Sequence, residues 1–142
     1  QFSPHKWSQV VQPAGKAAPH PRYGHSAAVF DKQMLIFGGA SSGRVSDDLW
    51  SFDLKAKTWD ILNTPEWPSA RAFHMAVVVG LNMILYGGEL SDPNQLSSET
   101  WLYDTFNNKW SKLADKVAAV ANAHGSLTSV SGTTVLSFGG VR

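Results

Sequence analysis

Apolar and polar residues alternate along this chain in short runs, and no stretch sustains the 3.6-residue period of an amphipathic helix. From Gly24 the run GHSAAVF passes through DKQ into MLIFGG, and a second run, FHMAVVV, passes through GLN into MILYGG. Apolar runs of this length broken by turn residues predict two β-hairpins. Polar loops follow at 40–46 (ASSGRVS) and 89–98 (ELSDPNQLSS). Aromatic residues then alternate with polar ones in DLWSFD at 48–53 and ETWLYD at 99–104, as a half-buried strand requires. Short turns lead from these into TWDIL at 58–62 and KWSKL at 109–113. Four strands per unit are thus expected, separated by punctuation such as NTPEWPSAR at 63–71, whose two prolines exclude helix and central strand. The one Ala-rich segment, KVAAVANAHG at 116–125, admits a turn of helix within a loop.

The units repeat. Glycine doublets fall at Gly38-Gly39, Gly87-Gly88 and Gly139-Gly140; Trp7, Trp59 and Trp110 recur near the same interval, as do Trp50 with Trp101 and His25 with His74 and His124. A period near 50 residues marks an architecture in which each unit buries its apolar face only against a neighbour.

These residues resemble the kelch family: RYGH at 22–25, the doublet at strand end, DLWSFD and Trp59 in one copy; RAFH, Gly87-Gly88, ETWLYD and Trp110 in the next. The third copy departs from the pattern, with Ala121 expected where Arg22 and Arg71 stand. The resemblance implies an all-β fold of kelch-type β-propeller blades, each a four-stranded antiparallel sheet, in an incomplete propeller. Residues 7–11 are expected as the last strand of a preceding blade, 22–62 and 71–113 as blades, and 124–140 as the first two strands of a further blade. Eleven strands fall short of a closed ring of four to eight blades, so further blades are expected from the same longer chain or from a second copy across a two-fold axis.

Composition narrows the chemistry. Twelve basic and eleven acidic residues leave a formal charge of +1 with no basic cluster, so no nucleic-acid partner is expected. The chain has no apolar run of about 18 residues, and direct membrane insertion is not expected. Cysteine is absent, which removes thiolate metal sites and cysteine nucleophiles but does not fix a compartment. Asn63-Thr64 is followed by Pro65 and no N-glycosylation sequon occurs, a weak lean towards the cytoplasm that leaves an extracellular setting open.

The histidines recur at one position per unit and point to hydrogen bonds across blades rather than to one metal centre. Asp53 and Asp104 end the third strands and fit turn capping. No motif of a hydrolase, zinc protease or phosphate-binding loop occurs, so neither enzymatic activity nor a cofactor is expected. Kelch propellers with enzymatic activity exist, but the copper and iron ligand sets of galactose oxidase and nitrile-specifier proteins find no match here.

In kelch propellers that bind ligands, the pocket lies at one end of the channel among the inter-blade connections and the loops after the doublets. Carried onto this sequence, the resemblance points to Arg22, Tyr23, Arg44, Trp67, Arg71, Phe73, Glu89 and Asp92 as partner-binding residues. Arginine and aromatics together suit a protein partner. The alternative for Arg22 and Arg71 is a structural role, holding carbonyls or carboxylates; for Trp67 it is packing over a blade edge. The expected function is a protein-interaction module, scaffold or adaptor; the alternative is a propeller that binds or processes a carbohydrate or other small molecule.

Overall fold

A computed structural model describes residues 6–92, 95–113, 120–132 and 134–142. Fourteen strands follow one another and no described residue is helical: β1 (Ser26–Phe30), β2 (Gln33–Phe37), β3 (Ala40–Ser41), β4 (Arg44–Val45), β5 (Leu49–Asp53), β6 (Thr58–Leu62), β7 (Arg71–Ala72), β8 (Met75–Val79), β9 (Asn82–Tyr86), β10 (Glu89–Leu90), β11 (Thr100–Asp104), β12 (Lys109–Lys112), β13 (Ala123–Ser131) and β14 (Thr134–Val141). They build an incomplete propeller. One four-stranded antiparallel blade has the order β1-β2-β5-β6, the next β8-β9-β11-β12, and β13-β14 form a two-stranded sheet beside them. The inner strands β1, β8 and β13 stand side by side.

Every strand has two faces to bury, one against each neighbouring blade. Leu35, Phe37 and Leu49 of the first blade meet Met83, Leu85, Tyr103 and Trp110 of the second in one core cluster. Trp110 contributes most: its ring lies 5.2 Å from Phe37 across the blades and 5.1 Å from Tyr103 within its own. Trp59, in the matching position, packs on Phe52 at 4.8 Å.

The next inter-blade space is only partly filled. A cavity of about 390 Å³ separates the second blade from β13-β14. Ile84, Tyr86, Thr100, Leu127, Val135 and Ser137 line it. By strand register these are the counterparts of Leu35, Phe37, Leu49, Ala76, Met83 and Leu85. The cavity is therefore the same core without the Tyr103 and Trp110 aromatics that fill it between the first two blades. On the far face of β14, Phe138, the counterpart of the fully buried Phe37, is 83% exposed.

The glycine doublets stitch blade to blade. Gly39 N–H donates to Arg71 O (2.9 Å), Gly88 N–H to Asn122 O (2.8 Å), and the Arg71 and Asn122 N–H groups return to Ser46 O and Ser97 O (3.1 and 3.2 Å). Gly38 has φ +61°, and a Cβ there would sit 2.6 Å from Arg71 O. Gly43, at φ +75°, has open space around it. The pair separates backbone strain from steric exclusion: Gly43→Ala should cost about 1–2 kcal/mol and Gly38→Ala roughly twice that, as read by denaturant unfolding. Equal costs would mean that the blades can part to admit a methyl group.

Three sequence expectations need correction. Residues 7–11 form no strand: no described third strand lies beside them to supply a ladder, and Trp7 is fully exposed. His124 is not the counterpart of His25 and His74. Ser26, Met75 and Ser126 pair with the residue before each doublet, which makes Gly125 their third histidine-position equivalent and puts His124 in register with Gly24 and Phe73. The hairpin β13-β14 carries an extra residue at an irregularity between Ser129 and Ser131, and this displaces the register by one. For the same reason Asn122, not Ala121, occupies the place of Arg22 and Arg71. Within 116–125, residues 116–119 lie outside the described residues, 120–122 are irregular, and 123–125 open β13.

Candidate functional site

The chain enters each inner strand through a residue with positive φ: Gly24 (+64°), Phe73 (+55°) and His124 (+60°). This conformation turns successive backbones around the mouth of the channel. Phe73 N–H donates to Gly24 O (2.7 Å) and His124 N–H to Phe73 O (2.9 Å), so the three entries are tied in sequence around the rim. For phenylalanine and histidine such a backbone costs of order 1–3 kcal/mol each, and residues held this way cluster at functional sites.

The side chains at these entries form one assembly. Glycine at the first leaves room for the Phe73 ring, which covers Gly24. Phe73 stacks on His124 with centroids 4.1 Å apart and an interplanar angle of 26°. On its other side Tyr23, 58% exposed, approaches Phe73 to 5.9 Å. Glu89, placed by the β7-β10 pairing, sets Oε1 2.7 Å from His124 Nε2. A row of three rings ending in a carboxylate thus lies open on the rim.

Arg22 and Arg71 do not join it. Arg71 is 0% exposed; its fork donates to Gly87 O (3.0 Å), Ser97 Oγ (3.0 Å), Ser69 Oγ (2.9 Å) and Glu99 Oε2 (2.7 Å). Arg22 grips Asp48 through two bonds of 2.6 and 2.9 Å and reaches Gly38 O at 2.9 Å. Each carboxylate also accepts from an indole two residues on, Asp48 from Trp50 (2.6 Å) and Glu99 from Trp101 (3.0 Å). The partner-binding expectation for these arginines is corrected: they clamp doublet to third strand within their own blade. Asn122 keeps half of the device, donating Nδ2–H to Gly139 O (2.9 Å). Burial alone would raise the Glu99 carboxyl, but hydrogen bonds from Lys112, Trp101 and Arg71 outweigh it and draw it down to about 2. At Asp48 partial burial is likewise overcome by Arg22 and Trp50, and the carboxyl lies below its usual range.

His74, directly below Phe73 in sequence, faces inward. Its Nε2 shares a 2.8 Å hydrogen bond with Ser26 Oγ of the preceding blade. Burial first, then the charges of Arg71 and His25, lowers it to about 3, so it is neutral.

The remaining expected residues lie on loops of the same rim. Arg44 on β4 is exposed and borders a cleft of about 330 Å³ shared with Ser91 of the next blade's loop. Asp92 is exposed beside it, its carbonyl accepting from Gln95 N–H. Trp67 is half exposed at the outer part of the rim, against the ends of β5 and β6. Sequence reasoning missed His124 as a rim residue. The signal was available: Gly24 and Phe73 each precede the first doublet glycine by 14 positions, whereas His124 precedes Gly139 by 15. Among the described residues no group of three or more His, Asp or Glu is arranged to hold a metal.

Comparison with known proteins agrees with this architecture. Residues 1–140 match the family model described as the KLHDC2/KLHL20/DRC7 Kelch-repeats domain. The chain is 31% identical over 143 residues to multiple epidermal growth factor-like domains protein 8 of Rattus norvegicus, covering 87% of this chain and 5% of that protein. It is 28% identical over 122 residues to Kelch domain-containing protein 3 of Bos taurus (78% of this chain, 31% of that protein). It is 30% identical over 86 residues to the leucine-zipper-like transcriptional regulator 1 homolog of Drosophila melanogaster (58% and 9%). The chain therefore spans at most about a third of the length of these relatives.

Proposed function

Since the chain belongs to the Kelch-repeat family, whose domains are in general protein-interaction modules, we propose that its rim captures a segment of a partner protein on the Tyr23, Phe73, His124 and Glu89 row. The observation that carries this reading is the Phe73–His124 stack, held by two strained backbones at the mouth of the channel. Rigid aromatic side chains supply contact area at little entropic cost, and the carboxylate at the end of the row favours a donor or cation on the partner. Arg44, Ser91 and Asp92 extend the surface along the loops, offering both charge signs to a chain lying across the mouth.

The cavity between the second blade and β13-β14 supports a second partner, structural rather than transient. Its lining reproduces the core between the first two blades and lacks only a third-strand tyrosine and a fourth-strand tryptophan. We therefore take further blade strands bearing such aromatics to be its occupant, from the same longer chain or from a second copy.

The test of the rim is affinity capture with quantitative mass spectrometry, comparing the protein with Phe73→Ala and His124→Ala variants. Proteins retained by the unaltered rim should fall at least tenfold with either variant while the thermal midpoint stays within about 3 °C. Undiminished retention would remove the rim from the account. A surface that instead turned over a sugar or small metabolite would favour the small-molecule reading.

A further inference from the structure

In each unit the clamp residue has a neighbour directly across the ladder. Tyr23 bridges Ala40, Leu90 pairs with Arg71 and Val141 pairs with Ala123, so the facing pairs are Arg22 with Ser41, Arg71 with Leu90, and Asn122 with Arg142. One arginine stands in every pair. In the third unit it has crossed to the other strand.

Residues directly opposed in this way hold their Cβ atoms about 4.5–5.5 Å apart on one face of the sheet. Asn122 and Arg142 accordingly line the same cavity, the one of about 390 Å³ between the second blade and β13-β14. The two halves of the clamp are thereby divided. Asn122 holds the doublet through Gly139 O, as Arg22 holds Gly38 O and Arg71 holds Gly87 O. Arg142 is exposed and makes no hydrogen bond or ion pair with a described residue. Among the described residues lining the cavity it carries the one formal charge. Glu99, beside the lining residue Thr100, is taken by Arg71 and Lys112, and Glu89 is paired with His124.

The first two units show what an arginine at this place receives. Arg22 binds Asp48 and Arg71 binds Glu99; each acid immediately precedes a third strand, with aromatic residues two and four positions on, Trp50 and Phe52 in one unit, Trp101 and Tyr103 in the other. Tyr103 is the ring whose counterpart the cavity lacks. Among the described strands β14 pairs with β13 alone, so its other edge is open to a further strand.

Resting on the reading of this cavity as the seat of a further strand, we infer that Arg142 is the displaced clamp of the third unit and receives an extended segment led by Asp or Glu, with aromatic residues two and four positions on. The carboxylate docks on the guanidinium fork, whose geometry suits it. The backbone of the segment pairs with the free edge of β14, and its second ring enters the cavity. A second copy of this chain does not offer such a segment: β5 and β11 are paired on both sides within their own blades, and 6–12 reads KWSQVVQ, without an acid. The occupant therefore comes from outside these 142 residues.

The test is calorimetric titration of the intact chain with an octapeptide copying 97–104, acetyl-Ser-Ser-Glu-Thr-Trp-Leu-Tyr-Asp-amide, and with versions carrying Gln for Glu or Ala for Tyr. The parent peptide should bind one to one, and each replacement should weaken it at least fivefold. Arg142→Ser, at an exposed strand end where the fold is not at stake, should abolish the preference for Glu over Gln and leave the dependence on Tyr. Adding Asn122→Arg to that variant returns the arginine to the place of Arg22 and Arg71 and should restore the preference. Equal binding of the Glu and Gln peptides by the unaltered chain, with Tyr still required, would overturn the role of Arg142 while the strand reading stands. Absence of binding, or binding indifferent to Tyr, would overturn both. Self-association that the parent peptide competes away would give the place to a second copy and overturn the choice of occupant. Phe73→Ala should change none of these affinities, which keeps the rim row separate.

Discussion

Arg71→Ala should lower the thermal midpoint by 10 °C or more. The guanidinium is wholly buried and donates to two carbonyls, two hydroxyls and the Glu99 carboxylate, and its removal leaves Gly87 O and Ser97 Oγ without that donor inside the blade and takes the main cation from Glu99. Breaking a buried charge pair from one side costs about 3–5 kcal/mol, and each kcal/mol is worth roughly 3 °C in a domain of this size. Arg22→Ala should cost less, because the Arg22 side chain is itself 8% exposed where Arg71 is 0%, and it holds fewer groups in place. Arg71→Lys, which keeps the charge but not the fork, should fall between the alanine variant and the unaltered protein. Melting followed by tryptophan fluorescence orders the three; an unchanged midpoint for Arg71→Ala would return that arginine to the list of surface contacts.

Acid should destabilise the protein well before its carboxylates protonate. His74 is neutral when folded, with its proton affinity lowered to about 3, whereas an unfolded histidine takes up a proton near 6.5. The unfolded state therefore binds the extra proton as pH falls, and stability that is complete above 6.5 drains away towards pH 3. By pH 4.5 the loss from this residue alone is roughly 3 kcal/mol. His25, lowered by burial and by Arg22, acts in the same direction. Glu99 contributes only below about 4.5, since its folded carboxyl lies near 2. Urea unfolding at pH 7, 5.5 and 4.5 should show the midpoint falling at each step, and His74→Gln, whose amide can still reach Ser26, should flatten the slope between the first two. A slope unaffected by that change would assign the acid sensitivity to other groups.

The strands were legible because the pattern that defines them is local. Alternating aromatics place β5 and β11, two-residue turns place the hairpins β1-β2 and β8-β9, and the doublets mark where each inner hairpin meets the next blade. What depended on distant pairing was harder to read. Residues 6–8 repeat the Lys-Trp-Ser of β12, but no described strand lies beside 7–11, so propensity alone does not make them a strand. The arginine clamps were half visible: an acid two positions before tryptophan, Asp48 before Trp50 and Glu99 before Trp101, already signals a carboxylate spoken for within the sheet. His124 was misplaced because recurring histidines suggested a common register, and only the hydrogen-bond ladder exposes the extra residue that offsets them.

That extra residue in the third hairpin joins the two ends of the propeller. The positions that face the mouth are counted backwards from the glycine doublet, so the length of a turn at the opposite end decides whether His124 or Gly125 is presented there. With the rest of the hairpin unchanged, a one-codon insertion around Ser129–Ser131 would bring Gly125 to the place His124 holds and exchange an imidazole for a bare backbone at the recognition surface with no substitution in it. Repeats of this kind thus have a route to new specificity that leaves the mouth's own codons untouched.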